Sequence, residues 1–285
     1  MKPSLFRSYL SKFLSPIEMR DVRTSFDVIG DIAIIRAPLK LRHRRHIIAQ
    51  AVMNTNSNIK TVLNQVSAVS GSFRLRGLEY LLGEEKTKTV YQEYRCRFKV
   101  DLATVYFSPR LSFERMRIAN LVNYGETVLN MFAGVGCYSI IIAKHRPIKH
   151  VFSIDLNPEA VELMKENIQL NRVADKVTVI EGDAQDIIST QLKQSCNRVL
   201  MPLPEKAFEY LESAIQALEE GKGIIHFYDV ILANKSEDPI EKLIQRIEPK
   251  LQELSSTFTI HSSRVVRMVG PRWYQIVLDI HIIKL

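Results

Sequence analysis

Residues 127–140 read TVLNMFAGVGCYSI and residues 150–171 read HVFSIDLNPEAVELMKENIQLN. Each begins with a short apolar run and passes through a polar or glycine turn into a segment with helical spacing. That is the pattern of a strand feeding a helix. The same alternation continues outward. LSFERMRIANLV (111–122) reads as a preceding amphipathic helix. Downstream, KVTVIEGDA (176–184) and NRVLMPLP (197–204) read as strand ends, EKAFEYLESAIQALEEG (205–221) as a helix and GIIHFYDVI (223–231) as a strand. IEKLIQRIEPKLQEL (240–254) is again helical, and FTIHSSRVVRMV (258–269) and WYQIVLDIHIIKL (273–285) are two strands joined at Gly270 and Pro271. Strand and helix in alternation imply an α/β unit with a mostly parallel sheet and helices on both faces. The short last connection allows an antiparallel hairpin, which the lone tryptophan, Trp273, is expected to pack.

Open parallel sheets bind ligands beyond the carboxyl ends of their strands. After the first strand come Phe132, Ala133, Gly134, Val135 and Gly136, and two glycines one residue apart let backbone approach a ligand closely. A tight strand-to-helix turn explains the pair equally well. Ser139 stands where a third glycine would complete a pyrophosphate-binding fingerprint, which argues against a dinucleotide. Asp155 and Asn157 follow the second strand, with Pro158 opening a helix. An acid about 20 residues past the glycine turn is placed to accept from ribose hydroxyls, although Asp155 also suits a helix cap. Asp183 follows the third strand and can accept from an adenine amino group. The three strand ends together fit a nucleoside without phosphates, and S-adenosylmethionine is the commonest such ligand on this sheet order.

The first hundred residues differ in character. FDVIGDIAIIRAP (26–38) reads as two strands about a Gly30-Asp31 turn, HRRHIIAQAVM (43–53) as a helix, and TVLNQV, FRLRGLEYLLG and KTKTVYQEYRCRFKVDL as strands. In YRCRFKV, alternation sets Cys96, Phe98 and Val100 on one face and Arg95, Arg97 and Lys99 on the other. The chain carries a net +8. RAPLKLRHRRH (36–46), SFRLR (72–76) and YRCRFK (94–99) concentrate cations, the last two around aromatics, which suits an RNA partner. A solvated cationic face explains any one cluster as well. MKPSLFRSYLSKFLSPIEMR (1–20) has neither the apolar centre nor the cleavage site of a signal peptide and reads as an amphipathic helix. Three scattered cysteines, Cys96, Cys137 and Cys196, suggest neither a disulfide framework nor a zinc site, and Cys137 reads as a packed small residue. His43 and His46 suit phosphate contact or solvation better than a metal. These features suit a cytoplasmic protein.

YFSPRLSFERMRIA (106–119), LNMFAGVGCYSI (129–140), SIDLNPEAVELMKENIQLN (153–171), GDA (182–184) and MPLPEKA (201–207) resemble the archaeal and eukaryotic tRNA (guanine-37-N1)-methyltransferases. The YFSPR…ER block is the most specific part, and the resemblance runs from about residue 26 to 285. It implies a Rossmann-like class I methyltransferase domain over 106–285, a basic α+β tRNA-binding domain over 26–105 and an N-terminal extension over 1–25. It also implies S-adenosylmethionine as cofactor, held by Phe132, Ala133, Gly134, Gly136, Asp155, Asn157 and Asp183, and the anticodon arm of tRNA as partner. No metal is implied, and a monomer is favoured. Family members often carry a further domain that recognises the tRNA elbow, for which the residues before the α+β region are too few.

The resemblance also assigns chemistry. N1 of guanine is poorly nucleophilic until its proton leaves, and Glu114 falls at the family's proposed base. Pairing of Glu114 with Arg110, one helical turn away, is the plain structural alternative. Arg74 falls at the position proposed to offset charge on O6, and Tyr106, Arg110 and Arg115 at positions that hold the flipped base and its phosphate. Pro202 replaces the asparagine the family carries after the fourth strand, and proline offers no amide. That substitution resembles a bifunctional archaeal branch, which also methylates C7 of 4-demethylwyosine. It leaves open N1 transfer alone or both activities. Two alternatives stand beside these: an aminocarboxypropyl transferase acting on 4-demethylwyosine, and a non-catalytic RNA-binding protein with a degenerate cofactor fold. The N/D-P-P-Y/F signature of exocyclic-amine methyltransferases is absent.

Overall fold

The computed structural model describes residues 5–254 and 257–284. The chain divides into two compact units, Met1–Arg110 and Leu111–Leu285.

The first unit opens with α1 (Leu5–Leu10) and α2 (Pro16–Asp21) in place of one continuous helix. The break has a local cause. Ser15 caps α2, its hydroxyl accepting from the Glu18 amide while Glu18 reaches back to the Ser15 amide, and Pro16 occupies the first turn. Phe6, Leu10, Leu14 and Val22 enter the core of this unit. Strands β1 (Asp27–Ile29) and β2 (Ile32–Ile35) form the expected hairpin about Gly30 and Asp31. A 3-10 turn and α3 (Arg45–Thr55) then carry the chain to β3 (Thr61–Gln65), parallel to β2. Strand β4 (Leu78–Gly83) closes the four-stranded sheet antiparallel to β3. The FRLR stretch is not part of β4. Ser70 and Leu75 exchange backbone hydrogen bonds of 2.9 and 3.0 Å, and Arg74 sits at φ +55° in the turn between them. Strands β5 (Lys88–Glu93) and β6 (Cys96–Asp101) form a separate hairpin with Tyr94 and Arg95 at φ +45° and +59°, the left-handed pair that a tight hairpin turn requires. Cys96, Phe98 and Val100 are buried and Arg97 and Lys99 exposed, as alternation predicts.

The second unit is a seven-stranded sheet. Helix α4 (Ser112–Leu121) precedes β7 (Thr127–Asn130), followed by α5 (Cys137–His145), β8 (His150–Asp155), α6 (Pro158–Asn171) and β9 (Val177–Glu181). Then come α7 (Ala184–Ile187), β10 (Arg198–Met201), α8 (Pro204–Ala207), α9 (Leu211–Gln216) and β11 (Gly223–Leu232). Helix α10 (Pro239–Leu254) leads to the hairpin of β12 (Thr257–Gly270) and β13 (Trp273–Lys284). The order is β12-β13-β11-β10-β7-β8-β9, with β11-β10-β7-β8-β9 parallel and β13 antiparallel to both its neighbours. Counted from β7, this is 3-2-1-4-5-7-6, the class I methyltransferase order expected. The order reverses between β7 and β10, so a crevice opens beyond their carboxyl ends. Helix α10 buries Leu243, Ile247 and Leu251, four residues apart on one stripe, in the core of this unit. The segment read as one helix over 205–221 is two, α8 and α9, parted by a turn at Phe208–Tyr210. Trp273 is 44% exposed at the start of β13; its ring lies beside Gly270 at the hairpin turn, outside the core.

One side chain ties the middle of this sheet together. Arg198, the first residue of β10, is 1% exposed. Its Nε and Nη2 donate to Glu126 at 2.6 and 2.9 Å, Nη2 also donates to the Leu121 carbonyl at 2.8 Å, and Nη1 donates to His226 Nε2 at 2.7 Å. Because a guanidinium only donates, Nε2 must accept, and the imidazole proton sits on Nδ1, which donates to Asp279 at 2.6 Å. Burial lowers the proton affinity of His226, so it is neutral. Arg198→Met should cost about 3–5 kcal/mol in denaturant unfolding, since it strands a buried carboxylate and an imidazole acceptor. Unfolding free energy of the native chain should also decline as pH falls below the ordinary histidine value of 6.5, because the unfolded imidazole takes up a proton that folded His226 refuses.

Candidate functional site

The glycine turn after β7 is held by the acid after β8. Asp155 Oδ2 accepts from the Gly134 amide at 2.6 Å and Oδ1 from the Asn157 amide at 3.0 Å. Burial raises the Asp155 carboxyl above its ordinary range, and these two amides partly offset it. Gly134 lies at φ +55° and a Cβ there would meet nothing within 4 Å, whereas one on Gly136, at φ +89°, would press on Met164 Cγ at 2.8 Å. Gly136 is thus a packing glycine, and Gly134 a glycine that faces open space. Asn157 caps α6 by accepting from the Glu159 amide at 3.1 Å. Asn130, ending β7, donates to Ser139 Oγ at 3.1 Å, and its buried Oδ1 meets no donor among the described residues.

At the next strand end, Asp183 caps α7, accepting from the Gln185 amide at 2.8 Å, and also accepts from the Tyr210 hydroxyl. Burial first, and then this bond to Asp183, raises the Tyr210 hydroxyl's pKa. The Tyr210 ring meets Phe132 edge-on, centroids 5.2 Å apart. Phe132, Asp183 and Tyr210 therefore form one wall after β7 and β9. Tyr210 reaches it because the chain turns between α8 and α9. Ala133 is buried in the glycine turn. Open space at Gly134, carboxylates at two strand ends and an aromatic wall fit a nucleoside cofactor.

On the neighbouring side, Pro202 follows β10 half-buried, and Pro204 opens α8. Glu114, in the first turn of α4, is 2% exposed. Its Oε1 accepts from Arg117 Nη2 at 2.8 Å and the Tyr228 hydroxyl at 2.7 Å, and its Oε2 from Arg117 Nε at 2.9 Å and Arg264 Nη1 at 3.3 Å. Its guanidinium partners are Arg117 and Arg264 rather than Arg110. Arg117 is shared with Asp279, which accepts from it at 2.7 and 3.2 Å and from Ser262 at 2.7 Å. Although burial opposes it, the bonds from His226, Arg117 and Ser262 hold the Asp279 carboxyl well below its usual range. Burial, Tyr138 and Glu114 together drive the Tyr228 hydroxyl far upward. Arg115 is buried beside Glu114 in the chain.

The other expected residues belong to the first unit. The Arg74 guanidinium lies over the Tyr106 ring, 4.4 Å from its centroid, a cation–π contact joining two of the residues singled out from the sequence. Arg110 donates to Asp27 at 2.7 Å. Arg76, close to Tyr106, Asp27 and Arg110, donates to the Phe107 carbonyl at 2.6 Å. Among the described residues no group of three His, Cys, Asp or Glu side chains is arranged to hold a metal ion, and no helix is long and apolar enough to cross a membrane.

Residues 89–257 match the TRM5/TYW2 methyltransferase domain, and residues 6–87 match the TYW2 N-terminal domain. The chain belongs to the TRM5/TYW2 methyltransferase family. It is 36% identical over 282 residues to tRNA (guanine(37)-N(1))-methyltransferase Trm5b of Pyrococcus abyssi, covering 99% of this chain and 81% of that one. The crystal structure of that protein matches at a TM-score of 0.86, with 37% identity and the same coverage. It is 35% identical over 264 residues to tRNA 4-demethylwyosine(37)-methyltransferase Taw21 of Saccharolobus solfataricus, covering 92% of this chain and 95% of that one. The complex of aTrm5 with tRNALeu matches at a TM-score of 0.83 and 33% identity, covering 99% of this chain and 79% of that one. As a family member the chain is an S-adenosylmethionine-dependent methyltransferase.

Sequence reasoning missed Tyr210, Arg117, Tyr228, Arg264, His226 and Asp279. Arg117 lies inside the 106–119 block and Tyr210 in the turn between α8 and α9, while Tyr228, Arg264, His226 and Asp279 lie on β11, β12 and β13, whose adjacency only the sheet order reveals. Asp155→Asn separates the cofactor role of Asp155 from its structural one. An amide oxygen still accepts from Gly134, and relief of the buried charge offsets the acceptor that the Asn157 N–H loses to the new NH2. The melting temperature should stay within a few degrees of native, while calorimetric affinity for S-adenosylmethionine should fall at least tenfold through the lost charge-assisted ribose bond.

Proposed function

We propose that this chain methylates the base at position 37 of tRNA. The observation that carries the reading is the crevice at the β7/β10 reversal, where the groups after β7, β8 and β9 suit the cofactor and Pro202 stands on the β10 side. A tRNA partner agrees with the charge of the first unit, where 19 Lys and Arg face 9 Asp and Glu, against 20 and 22 in the second. It agrees also with the tRNA complex of a similar enzyme. The anticodon arm is the part of tRNA this reading requires, with a monomer acting in the cytoplasm.

S-Adenosylmethionine supplies an electrophilic methyl group when bound. The residues of the chain have to present an electron pair to it. For N1 of guanosine a proton must leave, and Glu114 is the carboxylate assigned to take it. All four of its contacts come from donors, so one must yield to the guanine N1–H. Arg264, at 3.3 Å the longest, is the one to give way. Arg74 is assigned to offset charge on O6, with Tyr106, Arg110 and Arg115 holding the flipped nucleotide.

A second reading, methylation of C7 of 4-demethylwyosine, has its own support. Pro202 cannot grip guanine as an amide would, and its ring suits a wider base. A ring carbon attacks first and loses its proton afterwards, so it needs no base freed beforehand. That is compatible with the committed state of Glu114. The length match to the Saccharolobus enzyme points the same way.

Nucleoside mass spectrometry decides. The protein and S-adenosylmethionine are incubated with tRNA bearing guanosine at position 37, and with the same tRNA bearing 4-demethylwyosine. A methyl on one or both bases at position 37 is the expected result, and which base gains it selects N1, C7 or both. Gain of an aminocarboxypropyl mass, or no transfer, overturns the reading.

A further inference from the structure

The first unit contains an open cleft of about 740 Å³ between the β1–β2 turn and the β5–β6 hairpin. Lys60, Lys86, Lys88, Asn58, Thr89 and Gln92 are among its lining. Its floor is built. Thr89 Oγ1 donates to Asp31 Oδ1 at 2.7 Å and accepts from the Asp31 amide at 3.3 Å, and Lys86 donates to Asp31 Oδ2 at 2.8 Å and to Glu84 at 2.6 Å. Gly30, at φ +57°, keeps the floor bare, since a Cβ there would lie 2.1 Å from Thr89 Oγ1 and 2.7 Å from the Val90 carbonyl. Lys86 is thus neutralised within the wall. Lys60 and Lys88 are exposed at the rim, and neither makes an ion pair among the described residues. The outward face of the hairpin extends the same charge. Lys88, Val90 and Gln92 alternate along β5, with Lys99 opposite Val90 and Arg97 opposite Gln92. All five are exposed.

We propose that this cleft and hairpin face form a phosphodiester groove that grips the tRNA backbone, a contact separate from the cofactor crevice of the second unit. It rests on the tRNA reading above. Three features select an RNA backbone. The whole positive excess of the chain lies in this unit. Uncharged donors, Asn58 and Gln92, line the same cleft as the lysines and suit ribose and phosphate oxygens. The surface is an open channel, which suits a chain passing through better than a small enclosed anion. Each lysine that neutralises a phosphate releases counterions, so the groove has a salt signature.

The test is tRNA binding by fluorescence anisotropy across a salt series, using the full chain and a Lys60→Glu/Lys88→Glu variant. Lys12→Glu/Arg20→Glu, a reversal at two exposed cations elsewhere in the same unit, serves as control. The groove predicts at least tenfold weaker binding for the first variant, and a fall of about 1–2 in the slope of log K against log salt. S-Adenosylmethionine affinity and melting temperature should be unchanged, and the control should lose less than threefold. Equal losses in both variants, or wild-type binding by the first, would overturn the groove while leaving the tRNA reading standing. Failure of the native chain to bind or methylate tRNA would instead remove the reading itself.

Discussion

The second unit depends on a run of buried charges that crosses its sheet: Glu126, Arg198, His226, Asp279, Arg117 and Glu114. The run begins just before β7, passes through β10, β11 and β13, and ends on α4. Each step fixes the next. Arg198 dictates the tautomer of His226, whose single proton then goes to Asp279, and Asp279 shares Arg117 with Glu114. A buried ion pair contributes little net stability over an apolar substitute, but breaking one member is expensive. What the run supplies is orientation. The carboxylate of Glu114 is held in one place by groups on three different elements, α4, β11 and β12, and Tyr228, Tyr138 and Arg115 crowd round it.

The cofactor side follows a different logic. There the backbone does most of the shaping. A left-handed Gly134 turns the chain without a side chain to block the crevice, and Asp155 braces that turn through its amide. The same carboxylate is the one proposed to meet ribose hydroxyls, so a single group would both brace the glycine turn and bind the cofactor. Desolvation of Asp155 is the cost of this arrangement, and binding of a hydroxyl pair would offset it. Asp183 repeats the pattern, capping a helix while holding Tyr210 against Phe132.

Much of this was legible in the sequence because it is local. The strand-turn-helix units, the terminal hairpin, the glycine turn and the acids at the strand ends are all encoded within about ten residues of each other. Strand β6 was readable from the alternation of Cys96, Phe98 and Val100. The failures have physical causes of the same kind. FRLR has the composition of a strand, but Gly77 and the Ser70–Leu75 bridge make it a turn, which places Arg74 over Tyr106. The segment 205–221 has helical spacing, yet it breaks at Tyr210, whose hydroxyl gains Asp183. The i to i+4 geometry favoured Arg110 for Glu114, but Arg117, at i+3, also has Asp279 to anchor it. No local pattern reports an anchor on β13.

The central claim is that the charge run positions Glu114 for methyl transfer, and Asp279 tests it because it touches Arg117 and His226 rather than the reacting base. The measurement is single-turnover methyl transfer at saturating S-adenosylmethionine and tRNA, comparing Asp279→Asn with the native chain, alongside both dissociation constants. The account predicts a rate at least tenfold lower with both constants within threefold of native, since Arg117 loses its anchor while the cofactor crevice and the first unit are untouched. An unchanged rate in a folded variant would contradict it, and would leave the buried charges a purely structural brace.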